Sequence, residues 1–400
     1  GSLTLLLTRP VLAVTPLHDY FRESWTTRDG LPHNTINGIS QSADGYLWVA
    51  TWEGLARFNG RNFTVLGRGA TTGLPDSGVR SLQPDTDGSM LVVGSRGGFV
   101  RRSAEGWSHW PQLNVLLNAV QADGYGGYWL ASEGQGLFYQ RSDGSRLHFT
   151  TAQGLPSDVV HSILVDTEDR VWIGSGRGLA VIYPETPEII VTINAIPAIP
   201  VFALQQHSNQ VLVGTERGLY HWRDGQAQLY HPLLSEQPVS ALLLRNDELW
   251  IGTTDRGLLR WVEGELEQLT IEGGLPNNRI LSLYHDRENS VWVGTNGGLF
   301  RLREAPFVTY TAERGLAGDY VRAVLAHSDG SIWVLGASSS PVTATASPTP
   351  AKVLNPDNVI IDPQQLTATP LKRIKIWQVS NTGNLLNSFE FLSENIVNPK

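Results

Sequence analysis

The chain of 400 residues sets 30 Lys and Arg against 38 Asp and Glu, for a formal charge of −8, with 17% charged residues and no cysteine. That balance lacks the basic surplus that neutralising nucleic acid phosphates requires, and the missing thiols exclude disulfides, thiolate catalysis and Cys-ligated zinc. No run approaches the roughly 20 apolar residues of a membrane-spanning helix.

The first element is the apolar stretch LTLLLTRPVLAVTPLHDY, with small residues PVLA at positions 10 to 13. It has the form of the end of a secretory signal, so residues 1–13 are expected to be the remnant of one; an apolar leader strand is the other possibility. From Tyr20 onward one grammar repeats. The first full unit reads TINGISQS, a turn at Asp44-Gly45, YLWVAT, a turn ending in Gly54, LARFNG and NFTVLG, which is four short alternating runs. Asp-Gly between two such runs is a strong hairpin signal, and it returns at Asp87-Gly88, Asp123-Gly124 and Asp329-Gly330. No stretch sustains a period of 3.6, so almost no helix is expected.

Aligned on the large apolar residue of the second run, the copies fall at Trp48, Val92 (with one residue of slack), Trp129, Trp172, Leu212, Trp250, Trp292 and Trp333, a period near 40. Four-stranded units at that spacing are the signature of β-propeller blades, which cover one another's apolar faces when packed radially. The second-run positions are therefore expected to form a buried ring. The glycine cluster in VWIGSGRGLAVIYP, residues 171–184, is architecture for the same reason: a strand follows it, whereas a phosphate cradle needs a helix.

A second motif precedes many units: GLPHNTI from Gly30, GLPDSGV from Gly73, GLPSDVV from Gly154, GLPNNRI from Gly274 and a decayed GLAGDYV from Gly315. Its Pro and Gly suit the crossing from one blade's outer strand to the next blade's inner strand. YFRESWTTRDGLPHNTI from Tyr20 matches PFVTYTAERGLAGDYV from Pro306, both an outer strand followed by a crossing. If Phe21 to Trp25 completes the blade begun around Trp292, a seven-bladed all-β propeller of four-stranded antiparallel blades closes over residues 21–306. Residues 307–336 then begin a second propeller, or add an extra blade. The alternative is an eight-bladed ring recruiting Trp333 and a strand of the tail.

Beyond that point composition changes. GASSSPVTATASPTPAK, positions 336 to 352, carries a low-complexity linker over 337–352, and no lysine occurs before Lys352. The non-repeat tail, 353–400, has the look of a different origin, a natural small β module being the other possibility.

The sequence from WTTRDGLPHNTI to DGYLWVATWEGLARF resembles the two-component regulator propeller repeat over about residues 21–336. The resemblance implies an exported, periplasmic sensor region of a bacterial receptor whose histidine kinase or diguanylate cyclase output, and whose dimerisation, lie beyond this chain. No local motif supplies catalysis, the histidines show no metal-ligand spacing, and no cofactor is expected. Acidic tips such as DTEDR at Asp166 and HDREN at His285 are expected to be ordinary turns rather than calcium sites. The suggestive set sits in the turns after the second strands. Arg96, Arg177, Arg217 and Arg256 each precede the turn glycine, joined by Trp52, Glu53, Glu133, Gln135, Glu216, Asp255 and Asn296. Repeat symmetry puts them on one face of the ring, where arginines can take an anion or sugar through bidentate hydrogen bonds. The expected partner is a small-molecule ligand, a carbohydrate or an anion. A carbohydrate-acting lyase or glycoside hydrolase and a protein-docking scaffold are the competing functions.

Overall fold

The computed structural model describes residues 15–67, 73–74, 76–85, 87–109, 113 and 115–304, and four later strands, Tyr320–Ala326, Ile332–Ala337, Arg373–Val379 and Leu385–Leu392. The signal remnant at 1–13, the strand at 307–310, the crossing from Gly315 and the turn at Asp329-Gly330 lie outside the described residues.

Residues 15–304 form one compact unit containing seven four-stranded antiparallel sheets. Blade 1 spans 36–66, blade 2 79–109, blade 3 117–149, blade 4 160–192, blade 5 201–229 and blade 6 239–269, each with its strands in chain order from inner to outer. Blade 7 takes three strands from 280–304 and its outer strand, Tyr20–Trp25, from the start of the ring. The register runs from Tyr20 opposite Glu304 to Trp25 opposite Leu299, so the two ends of the ring are zipped by backbone hydrogen bonds. Inner strands pack on inner strands in succession, and that of blade 7 packs on that of blade 1, closing the ring with seven blades. An eighth four-stranded sheet belongs to a separate compact unit, where Tyr320–Ala326 and Ile332–Ala337 are continued by the tail strands Arg373–Val379 and Leu385–Leu392.

The expected ring of second-strand side chains is buried: Trp48, Trp129, Trp172, Leu212, Trp250 and Trp292 are each at most 5% exposed. In blade 2 the register assigns this place to Leu91 rather than Val92, because Gln83 faces Leu91 as Ser40 faces Trp48. Two residues on, blades 4 to 7 carry Gly174, Gly214, Gly252 and Gly294. A Cβ on Gly294 would stand 2.7 Å from the Ile36 carbonyl of blade 1, and one on Gly252 2.6 Å from Ile280 of blade 7. Blades converge toward the axis, and small residues let them approach.

Each buried indole also needs a partner for its N–H. Trp172 donates to Asp166 at 2.7 Å and Trp292 to Asp286 at 2.6 Å, six residues upstream in the hairpin between inner and second strands; Trp48 donates to Ser42 at 2.8 Å. Asp166 also accepts from Arg170 and from the amides of Glu168 and Arg170, which makes the acidic tip an indole anchor. Among the described residues no cluster of three or more His, Asp or Glu is placed to hold a metal ion.

Candidate functional site

Crossing loops and the turns between second and third strands share one face of the ring. Three crossings use one device. A 3-10 turn, Thr27–Asp29, Thr151–Gln153 or Ile271–Gly273, ends on a left-handed glycine, Gly30, Gly154 or Gly274, with φ near +100° in each. The amide opening each turn is capped from seven residues ahead, Thr27 by Asn34 at 2.8 Å, Thr151 by Asp158 at 2.6 Å and Ile271 by Asn278 at 2.9 Å. Turns are wedged between crossings. In blade 3, the Glu133 amide donates to the Leu116 carbonyl behind it and that of Gly136 to Asp158 ahead. A buried Ser or Thr ending the second strand, such as Ser132, Ser175, Thr215 or Thr253, donates to a carbonyl across the turn.

All eleven turn residues singled out from sequence are exposed. Their side chains do not gather into one constellation. Arg96 lies 3.8 Å from Asp76, a carboxylate whose burial opposes ionisation but whose hydrogen bonds from Ser95 and Ser77 hold its pKa below the usual value. Arg256 lies 4.0 Å from its neighbour Asp255, and Asn296 accepts from Thr35 at 3.1 Å. His148 meets the backbone carbonyl of Gln135, and Gln268 donates to that of Arg256. Trp52 is 43% exposed on the blade 1 turn, with Glu53 beside it, while Arg177 on blade 4 and Glu216 with Arg217 on blade 5 present their side chains to solvent.

Glu133 pairs with a side chain on the inner strand of another blade, a partner that was not legible as a motif. Its carboxylate takes Arg80, on the inner strand of blade 2, at 2.6 Å. His161, on the inner strand of blade 4, feels both charges: burial pushes its pKa below the ordinary histidine value, Glu133 pulls it up and Arg80 pushes it down. The His161 ring lies 5.1 Å from that of Phe202, on the inner strand of blade 5. Arg80, His161 and Phe202 hold one structural position. Every inner strand shifts register around its second residue, between Ile36 and Gly38 in blade 1, Val79 and Ser81 in blade 2, and likewise in the other five. The skipped residues are Asn37, Arg80, Asn118, His161, Phe202, Ser240 and Leu281. Such bulges re-aim a side chain out of the ladder. The available signal was their common place, directly after the apolar residue that follows each crossing.

The family described as two component regulator propeller matches residues 30–53, 154–177 and 274–297. Each match runs from the crossing glycine through the inner and second strands into the turn, in blades 1, 4 and 7. The chain carries two component regulator propeller repeats. Among solved structures, it is similar to the extracellular domain of a hybrid two component system from B. thetaiotaomicron, with a TM-score of 0.68 and 18% identity over 93% of this chain and 54% of that one. A second such domain from the same organism aligns with a TM-score of 0.60 and 16% identity over 92% of this chain and 53% of that one. The repeat chain thus spans about half the length of these two domains. A streptogramin B lyase aligns with a TM-score of 0.57 and 13% identity over 72% of this chain and 98% of the lyase. At these identities the likeness is one of fold. No curated protein matches the chain.

Proposed function

We infer that this chain is the ligand-sensing propeller of an exported bacterial receptor, binding a small carbohydrate or anion on the face that carries the crossings and turns, with the output domain elsewhere in the receptor. The observation that carries this reading is the placement of the three repeat matches: each ends in a turn on that one face, at Glu53, Arg177 and Gly297. Two structurally similar proteins are extracellular domains of hybrid two component systems, which supports export and a sensory role. Trp52, Arg177, Glu216 and Arg217 present their side chains to solvent, as a binding rim requires.

A thermal-shift screen of the full chain against neutral oligosaccharides, uronates and small anions tests the reading. A ligand-specific rise in melting temperature is expected for at least one compound. If no compound raises it, the protein-docking scaffold takes precedence. A lyase or hydrolase is the second reading, favoured by the shared fold with a streptogramin B lyase and by a histidine, His161, that feels the charge of Glu133 on the crossing face. Turnover of a compound that also gives a shift would install it.

A further inference from the structure

Seven bulges at one position leave seven side chains at the start of the inner strands, and their duties differ. Asn37, Asn118 and Ser240 each donate to the carbonyl opening the next blade's inner strand, at 2.8 Å to Val79, 2.8 Å to Val160 and 2.7 Å to Ile280. These three stitch blade to blade. In blades 4 and 7 the following residue does the stitching, Ser162 to the Val201 carbonyl and Ser282 to that of Ile36, so His161 and Leu281 are released from it. Among the described residues Arg80 is engaged with Glu133 alone, through an ion pair whose side chains are 26% and 41% exposed. Two pairs, Arg80 with Glu133 from blades 2 and 3 and His161 with Phe202 from blades 4 and 5, thus stand at the same place on successive blades, where the inner strands open onto the crossing face, and His161 feels the charge of both members of the first pair; among the described residues no stitching bond accounts for Arg80, His161 or Phe202.

We propose that Arg80, Glu133, His161 and Phe202 form a binding site for a ring-bearing monocarboxylate, whose carboxylate replaces Glu133 on Arg80 while its ring lies against His161 and Phe202. The guanidinium fork matches a carboxylate in two parallel hydrogen bonds, and Glu133 already occupies it with the group that the ligand would present. A half-exposed ion pair contributes little, so exchanging one carboxylate for another costs little. The imidazole, kept neutral by its burial, and the phenyl ring beside it offer a face that suits a flat or chair-shaped ring. Two sources share this chemistry, a sugar acid and an aromatic acid. The site deepens the ligand-sensing reading and rests on it for its biological use.

Titration calorimetry on the full chain with D-galacturonate, benzoate and neutral D-galactose tests the site. At least one acid is expected to bind, and to do so more tightly than galactose. Galacturonate alone binding assigns a sugar acid, benzoate alone an aromatic one. Arg80→Ala is expected to weaken the acid about ten- to hundredfold, the loss of a charged double hydrogen bond. Arg80→Lys, which keeps the charge and the fold but not the fork, is expected to fall between. Glu133→Gln is the discriminating variant. Removing the competing carboxylate is expected to tighten binding about two- to fivefold, whereas a purely structural ion pair predicts no gain. Neither acid binding, galactose binding as tightly as the acids, or no tightening with Glu133→Gln each overturns the site. Acid binding that survives Arg80→Ala but is lost when Arg96, Arg177, Arg217 and Arg256 are all changed to Ala also overturns it, while leaving the ligand-sensing reading in place.

Discussion

Arginine serves two opposite purposes at two places in this ring. Where blades 6 and 7 meet residues 15–25, Arg245 and Arg260 have no exposed side-chain surface. Arg260 bonds Glu248 at 2.6 Å, Glu267 at 2.8 Å and the Thr15 carbonyl at 2.8 Å, and Arg245 bonds the Tyr20 hydroxyl at 2.7 Å and the Glu304 carboxylate. Both guanidinium groups lie over the Tyr20 ring, and Arg260 also over Trp250. On the crossing face the side chain of Arg96 is 80% exposed and that of Arg256 48%, and their carboxylate neighbours stand at 3.8 and 4.0 Å. Buried guanidinium groups hold the ring shut, since the strand they grip, Tyr20–Trp25, is the one that completes blade 7. Exposed ones contribute almost nothing to the fold and remain available for binding.

The sharpest way to break this contrast is at the seam. Removing one partner of a buried pair leaves the other charge stranded, at about 3–5 kcal/mol. Arg260→Ala takes from Glu248, whose side chain is 12% exposed, its nearer countercharge but leaves it Arg245 at 3.6 Å and the Trp250 N–H at 3.0 Å, so the expected loss in urea unfolding is smaller, about 2–3 kcal/mol. The pair itself contributes much less than its rupture costs. Arg260→Met combined with Glu248→Gln is therefore expected to recover about half of the loss. An Arg260→Ala variant that unfolds at the wild-type urea midpoint would show that the seam is held by the Tyr20–Trp25 strand ladder alone.

Alkali probes the same seam from its tyrosine. Burial pushes Tyr20 from its usual 10 up to about 12, and does the same to Tyr128 and Tyr139. The folded pKa lies above the unfolded one, so this stabilisation is complete below pH 10 and is lost as pH rises toward 12. No lysine precedes Lys352, so within the ring tyrosines dominate titration in that window, and the buried ones carry its coupling to stability. Urea midpoints are expected to hold constant up to pH 10 and to fall between pH 10 and 12. Tyr20→Phe should flatten part of that fall. Phenolate absorbance at pH 10 that disappears in Tyr20→Phe would contradict the burial of Tyr20.

The closed ring was legible in the sequence because blade architecture repeats every few signals. Asp-Gly turns, the second-strand Trp and the crossing GLP recur in order, and the match between YFRESW and PFVTYT revealed which strand closes the ring. Blade 2 lacks the Trp, so its sequence fits the repeat one residue out, at Val92, whereas the pairing of Gln83 places Leu91 there. The seam network was hidden for a physical reason. Arg245, Glu248 and Arg260 come from blade 6, while Tyr20 and Glu304 meet them only after closure, so no local spacing marks the set. The mouth cluster was hidden by a different one. Repeat symmetry highlights what recurs, and at the bulge position the place recurs while the residue changes, from Asn37 to Arg80, His161, Phe202 and Leu281. Variation at a repeated position was the informative signal, and the turn arginines drew attention because they do repeat.

The turn arginines test the other side of the comparison and should give its smallest effect. Arg177 and Arg217 sit on turns whose geometry is already fixed by the Ser175 and Thr215 hydroxyls, each donating across the turn, and by Gly178 and Gly218 with φ above +100°. Nothing in that geometry uses the guanidinium. Changing each to Ala is expected to move stability by no more than about 0.5 kcal/mol, and the two changes together should add, since they lie on separate blades. Arg96 is the instructive exception within the set. Its neighbour Asp76 is 5% exposed and ionised with the help of Ser95 and Ser77, so Arg96→Ala removes the nearest countercharge from a buried carboxylate. At 3.8 Å and with the arginine mostly in solvent, that countercharge contributes at most about 1 kcal/mol. Urea midpoints for the three single variants thus rank Arg96→Ala as the most damaging, followed by the other two as near neutral. A loss at Arg177 or Arg217 as large as that expected for Arg260→Ala would mean that the exposed face is built like the seam, and would end the division between arginines that close the ring and arginines free to bind.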